Sequence, residues 1–469
     1  LKSSSKLALM AAAGILVGGV GMGTAKAADL GGDCCADLEE RVAELEATTV
    51  RKGNRKVSLT LTGQIDKEIM YYGDSKRSKT IAGVDNINSS SRFFFTGDAK
   101  ISSSVKAGFE MMVEWAGATR SDTMNQLGST TNQYYGGSGV VKGAGTPLII
   151  PTVTEGSGDG ALAIRTANWW LEDKVLGRVT VGRVNIQGPA STIDVSGGDL
   201  AVAAWSNVYL QGGGFYLQNK NDPFARMSTV TFRSLANFCY GCSREEGIRY
   251  DSASIGGLLL GAFWGQQDRF TVQARYAAEI AGFQVAAGAG YQHDNLLGYE
   301  DPNLPAPRRN DTEQQGYALS AKHIASGLFL QGQYGQTKFN IVSGAVNPLK
   351  TDGKSWHIQG GWAKNAFGPG MTTLYGEYGH GEGYATGLSA GSAAAINNTN
   401  FTTIGTSGAT ITADSYNFYG IGVTQKIDAA AMTLYLGWRH FDPKVSTNVD
   451  GALPISSFDT VTGGARILF

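Results

Sequence analysis

The residues able to do chemistry are charged side chains set at every second position of alternating stretches. In Ser104 to Trp115, Lys106, Glu110 and Glu114 share one parity, while Val105, Phe109, Met111, Val113 and Trp115 share the other. Successive side chains of a β-strand point to opposite faces, so these charges line a wet face and the apolar groups a dry one. Arg92 likewise shares parity with Thr96, Asp98 and Lys100, opposite Phe93 and Phe95, and Arg249 and Asp251 stand opposite Ile248 and Tyr250. Arg183 departs from the pattern: it has the parity of Val179 and Val181, so it reaches a wet face only past the strand end or through a bulge. Asp194 and Asp199 lie in the Gly- and Ser-containing stretch from Asn185 to Tyr216, as groups of an infolded loop or as solvated carboxylates of an exposed one.

Other chemistries find less support. Hydrolysis by a Ser or Asp nucleophile needs a His base in reach, and His293, His323, His357, His380 and His440 stand in no recognised nucleophile motif. The cysteines fall in two close sets, Cys34-Cys35 and Cys239-x-x-Cys242. No second pair at zinc-site spacing accompanies them, and an exported chain favours disulfides. Cys239 and Cys242 could staple a loop, and Cys34 and Cys35 are better placed to link neighbouring chains than to pair with each other. Neither an enzyme nor a cofactor is expected.

These residues must be positioned by strands. The chain of 469 residues carries 39 Lys+Arg and 40 Asp+Glu, a balance that suggests no nucleic-acid partner. Hydrophobic residues make up 42%, and past the N-terminus no run reaches the ~18 to 20 apolar residues of a membrane helix. The content of 65 Gly, 19 Tyr, 19 Phe and 11 Pro fits many short strands with tight turns. Residues 1–27 read as a signal peptide, with Lys2 and Lys6, an apolar run from Leu7, and Ala25-Lys26-Ala27 for cleavage. Its removal leaves a formal charge near −4. Residues 28–55 form a periplasmic leader in which Leu38, Val42 and Leu45 repeat at heptad spacing. This short α-helical coiled-coil segment is too short to associate alone. It points to chains already held in an oligomer, to a contact with the cell wall, or to packing on its own domain.

Residues 56–469 alternate throughout: Val57, Leu59, Leu61 and Ile65; Phe283, Val285, Ala287, Ala289 and Tyr291; Met432, Leu434, Leu436 and Trp438. The chain closes on Phe469 with Ile467, Ala465, Gly463 and Val461 on its parity, the pattern of a last outer-membrane strand. In hydrocarbon, strands span only as a closed barrel. The expected fold is an all-β transmembrane barrel of 16 antiparallel strands, with 18 as the alternative, and Ser121 to Gly160 and Gly387 to Thr412 as surface loops.

Three stretches carry a family resemblance. Ser90-Ser91-Arg92-Phe93-Phe94-Phe95-Thr96-Gly97 with Lys106-Ala107-Gly108-Phe109-Glu110 resembles the SSRxGFxG…LKAxFQxE stretch of general bacterial porins, Phe94 replacing a usual Gly. Leu176-Gly177-Arg178-Val179-Thr180-Val181-Gly182-Arg183 resembles the strand that precedes their infolded loop, and Gly247-Ile248-Arg249-Tyr250-Asp251-Ser252 another of their strands. With the Cys-Cys and helical leader, the chain is similar to the alphaproteobacterial porin family. The resemblance implies a homotrimer in the outer membrane, in contact with its lipids, each barrel a passive channel for small hydrophilic solutes and ions. It implies a constriction where opposed acids and bases set a transverse field. Arg92, Glu110, Glu114, Arg183, Asp194, Asp199, Arg249 and Asp251 are its candidates. A sugar- or anion-specific channel, an adhesin and a barrel phospholipase or protease are the rivals.

Overall fold

The computed structural model describes residues 57–115, 120–126, 162–186, 193–200, 212–236, 244–266, 269–297, 309–342, 349–390 and 401–469. The signal peptide, the leader helix and all four cysteines lie outside the described residues. The strands are β1 (Thr60–Asp74), β2 (Ser78–Asp85), β3 (Arg92–Lys100), β4 (Val105–Trp115), β5 (Leu162–Asp173), β6 (Gly177–Asn185), β7 (Met227–Ser228), β8 (Arg244–Asp251), β9 (Leu258–Gly265) and β10 (Phe270–Ile280). They continue with β11 (Phe283–Leu297), β12 (Arg309–His323), β13 (Leu328–Val342), β14 (Leu349–Lys364), β15 (Thr372–Glu382), β16 (Phe401–Thr402), β17 (Ile411–Ile427), β18 (Met432–Thr447), β19 (Gly451–Leu453) and β20 (Phe458–Leu468).

Neighbouring strands pair antiparallel around a ring that closes where β1 meets β20, from Gln64 opposite Leu468 to Asp74 opposite Phe458. Short β7 and β16 pair with each other outside the ring, and β19 is a three-residue flap on β18. β2 and β3 both pair with β1, the first through Lys67 to Gly73 and the second through Thr60 to Gln64. They are one stave, interrupted where residues 86–91 leave the sheet through a 3-10 turn at Ile87–Ser89. The ring is therefore a barrel of 16 staves, the expected number.

The alternation sorts the faces. Leu61, Ile65, Ile69, Leu319, Leu330, Ile358, Ile421 and Leu436 are exposed on the outside, while Gln64, Ser320, Gln331, Gln359, Thr433 and Thr462 are buried on the inside. Toward the long-loop end the outer face carries an aromatic girdle, with Tyr317 on Tyr334, Trp356 on Tyr378 and Tyr419 on Trp438 at centroid distances of 6.4, 5.4 and 5.7 Å. Such rings settle at the boundary between hydrocarbon and water. At the short-turn end Phe93 and the terminal Phe469 meet at 6.1 Å, and Phe469 is bound to the backbone of Gly63 in both directions.

Inside, large side chains lie flat across glycines of the next stave. Tyr435 of β18 crosses β20 at Gly464 to reach β1, and a Cβ at Gly464 would stand 2.5 Å from the Tyr435 hydroxyl and 2.6 Å from the Lys67 carbonyl. Arg439 of β18 crosses β17 at Gly420 to reach Glu377 of β15 at 2.6 Å. The Gly464→Ala variant is expected to lose about 1–3 kcal/mol to overpacking. Urea unfolding in lipid vesicles, followed by heat-modifiable mobility, measures it.

Candidate pore constriction

Residues 193–200, which follow β6 in sequence, lie inside the barrel. Ile193 packs on Ala286 of β11 and Ala318 of β12, and the amide of Val195 donates to the Ser320 hydroxyl at 3.1 Å. Lys322 of β12 donates to the Ser196 carbonyl at 2.5 Å. Thr424 of β17 donates to the Gly198 carbonyl at 2.6 Å, and Thr433 of β18 to the Asp199 carboxylate at 2.8 Å. Arg466 of β20 completes the latch with an ion pair to Asp199. Leu200 then packs among Phe329, Ala363, Tyr375 and Tyr435. The stretch from Ile193 to Leu200 thus runs along the inner wall from β11 to β20.

Asp199 faces the basic Arg466. Asp194 instead folds the loop on itself, accepting the amides of Ser196 at 2.8 Å and Leu200 at 3.3 Å. Burial pushes its carboxyl above the ordinary value, against the pull of those hydrogen bonds.

Arg92 is in register with Gln64 and Glu114, and Glu110 with Thr96, on the inner face. Glu114 pairs with Arg165, and Glu110 accepts the Thr166 hydroxyl at 2.8 Å. The Nε of Arg92 has no hydrogen-bond partner among the described residues. Arg249 and Asp251 are also on the inner face but spend their charges on each other at 2.7 Å. Arg183 does not join them. It is in register with Ala167 and exposed Glu246, so no bulge reverses its parity and the structure keeps it on the outer side of β6.

Sequence reasoning missed four features. Arg165 comes inward because β5 carries an extra residue between Ile164 and Thr166, opposite Val113 and Met112. Counted back from exposed Trp169 and Leu171, it would have faced out; the apolar pair Leu162 and Ile164, on the opposite parity, was the signal that could have found it. Arg466 sits opposite Asp66 and had only its even position in the last strand to mark it. Asp66 and Glu68, buried side by side on β1, share the Tyr435 hydroxyl at 2.7 and 3.1 Å. One hydroxyl hydrogen serves one of them at a time.

The fourth is an aromatic cap. Toward the long-loop end the inner faces of β1, β17, β18 and β20 turn apolar through Met70, Tyr72, Tyr416, Phe418, Phe441 and Phe458, packed on the loop residues Phe215, Leu217, Phe232 and Leu235. Tyr72 stacks on Phe215 at 4.1 Å, and Phe232 meets the edges of Phe441 and Phe458 at 4.9 and 5.4 Å. The loops are tied further by Arg233 to Asp122 at 3.2 Å and Arg77 to the Ala225 carbonyl at 2.8 Å.

A barrel of 16 staves, apolar outside, polar inside and crossed by a latched loop, is matched by a family model described as Gram-negative porin over residues 11–444. The chain belongs to the Gram-negative porin family. No curated protein matches it in sequence. Among solved structures it is similar to an anion-selective porin from Comamonas acidovorans, at 14% identity and TM-score 0.48, covering 88% of this chain and 100% of that one. OmpT of Vibrio cholerae gives 12% and 0.46, covering 89% and 99%. OmpF of Salmonella typhi in complex with daunomycin gives 13% and 0.45, with the same coverage. This porin is a multi-pass outer-membrane barrel forming a channel for small solutes, and its short turns mark the periplasmic end.

Four outcomes follow from the geometry. Asp199→Ala should free the loop and raise single-channel conductance in planar bilayers. Arg92→Ala removes an inward positive charge, and the reversal potential in a salt gradient should shift toward cation preference. Phe232→Ala leaves a cavity in the cap worth about 3–5 kcal/mol, seen as a lower unfolding midpoint and noisier open-channel current. For Asp194, the burial penalty on loop docking is full above the raised pKa and shrinks as pH falls toward the ordinary 3.8. The stability of wild type relative to Asp194→Asn should therefore improve on acidification from neutrality, as measured by urea midpoints across pH.

Proposed function

We propose that this porin is a homotrimer of passive water-filled channels for small hydrophilic solutes and ions, without enzymatic activity. The observation that carries the reading is the loop from Ile193 to Leu200, latched to Arg466 inside a closed barrel with charged inner walls. Such a loop narrows an aqueous path while leaving its walls hydrated, and charges beside it act on ions in transit. Against a hydrolase stands the use of the inner-wall histidine: His357 is held by Glu377 at 3.0 Å, and Glu377 in turn by Arg439. The histidine is thus engaged in a hydrogen bond to Glu377, whose charge is met by Arg439.

The motifs around Arg92, Val179 and Arg249, with the Cys-Cys leader, support placement in the alphaproteobacterial branch. On this reading residues 1–27 direct export, and residues 28–55 supply a helix at the trimer axis or at the cell wall. Cys34 and Cys35 then link neighbouring chains, and Cys239 and Cys242 staple a loop. OmpT of Vibrio cholerae, folded in vitro, is itself known in a trimer form. Conductance of the detergent-purified protein in planar bilayers tests the proposal. Stepwise openings that close in thirds are expected; folded, inserted protein that never conducts would overturn it.

A further inference from the structure

A hollow interrupts the outer wall on the staves from β13 to β20. Gly360 and Gly376 stand in register on the outer parity of β14 and β15, with exposed Leu330 on one side and exposed Ile421 on the other. A Cβ at Gly376 would meet nothing closer than the Gly420 carbonyl at 3.9 Å. The result is a groove of about 880 Å³, with Leu328 and Trp362 at one end and Trp438 and Val461 at the other. On the inner side Phe329 and Tyr375 pack with Leu200 and close its floor toward the lumen.

The groove climbs the wall. One line of register partners runs from Leu328 through Trp362, Leu374 and Val423 to Leu436. Counted from the short-turn end, Leu328 is the first residue of β13, Leu374 the third of β15 and Leu436 the fifth of β18. From β13 to β20 the line crosses about 24 Å at the usual strand spacing. With strands tilted about 40° from the membrane normal, it rises about 15 Å over that length, half of a hydrocarbon core of about 30 Å. The groove therefore reaches from the periplasmic boundary to the midplane, the depth of one leaflet. Its foot carries a cation. Exposed Lys364 is the next outer position after Trp362, and its Nζ donates to the Ala325 carbonyl at 3.1 Å with donors to spare. The Trp362 indole is fixed beside it, donating to the Ser326 carbonyl at 3.0 Å.

We propose that this groove binds one phospholipid of the periplasmic leaflet, an acyl chain lying across Gly360 and Gly376 and the phosphate on Lys364. A chain on a convex wall touches protein on one side only, whereas a chain in the groove gains dispersion contacts from its floor and both flanks. The length of the groove selects a single leaflet's chain, and the ammonium at its foot selects an anionic head over an uncharged one. A second barrel fits worse, because its convex wall would bridge the hollow and leave it unfilled.

The test is native mass spectrometry of the full chain released from detergent micelles to which dioleoyl phosphatidylglycerol has been added. Wild type should retain one phospholipid per chain. Gly376→Leu, which fills the hollow, should lose it, and Lys364→Gln should weaken it about five-fold. Ala287→Leu adds similar bulk to the outer parity of β11, away from the groove, and should retain it. Heat-modifiable mobility of each variant separates loss of lipid from loss of fold, and exposed Lys364 is the safer site should Gly376→Leu fail to fold. A wild type that retains no lipid, or a folded Gly376→Leu that retains as much as wild type, would overturn the proposal. So would loss of lipid from Ala287→Leu, or dioleoylglycerol held as firmly as the phospholipid. Finally, a photo-crosslinking amino acid at position 421 in native membranes should label lipid. An adduct between two chains from that position would put a second copy over the groove and overturn the proposal as well.

Discussion

Every feature of this molecule depends on one constraint: in hydrocarbon each backbone amide and carbonyl must be paired within the protein. A sheet meets it only by joining its first stave to its last. Here that join is the run from Gln64 opposite Leu468 to Asp74 opposite Phe458, continued by the exchange between Gly63 and Phe469. Once the ring is closed, its two faces see different solvents, and the strand period of two decides which residue meets which. The apolar exterior, the polar interior and the aromatic girdle are consequences of closure.

Closure also explains the glycine content in part. Inside a ring, neighbouring staves converge on the lumen, and a tyrosine or arginine on one inner face must lie across the next. Gly464 under Tyr435 and Gly420 under Arg439 are the beds that allow it. They bring Tyr435 to Asp66 and Glu68, and Arg439 to Glu377, over an intervening strand.

The staves were legible because alternation is local: Phe283 to Tyr291 and Met432 to Trp438 declare their faces without knowledge of any partner. Arg92, Glu110 and Glu114 were placed inside by the same counting. Arg165 was not, because a bulge is a property of two strands and a single strand does not show it. Asp194 and Asp199 could be assigned to an infolded stretch but not told apart, since one folds its own loop and the other meets Arg466, more than 200 residues away in sequence. The aromatic cap was hidden for a related reason. Phe441 and Phe458 continue the inner parity of polar staves, and only the loop carrying Phe232 makes an apolar residue acceptable there.

The latch between Asp199 and Arg466 ties the narrowing of the channel to the order of assembly. Arg466 is on the last stave, and Thr433 and Thr424 on the two before it. Val195 and Ser196 are held earlier by β12, but the far end of the loop at Gly198 and Asp199 has nothing to hold until those staves are in place. A partly assembled barrel would be a wide hole, and its passage to full resistance would coincide with completion of the wall. Permeability thus serves as a clock for folding: the interval between insertion and the fall in leak measures how long the final staves take to arrive.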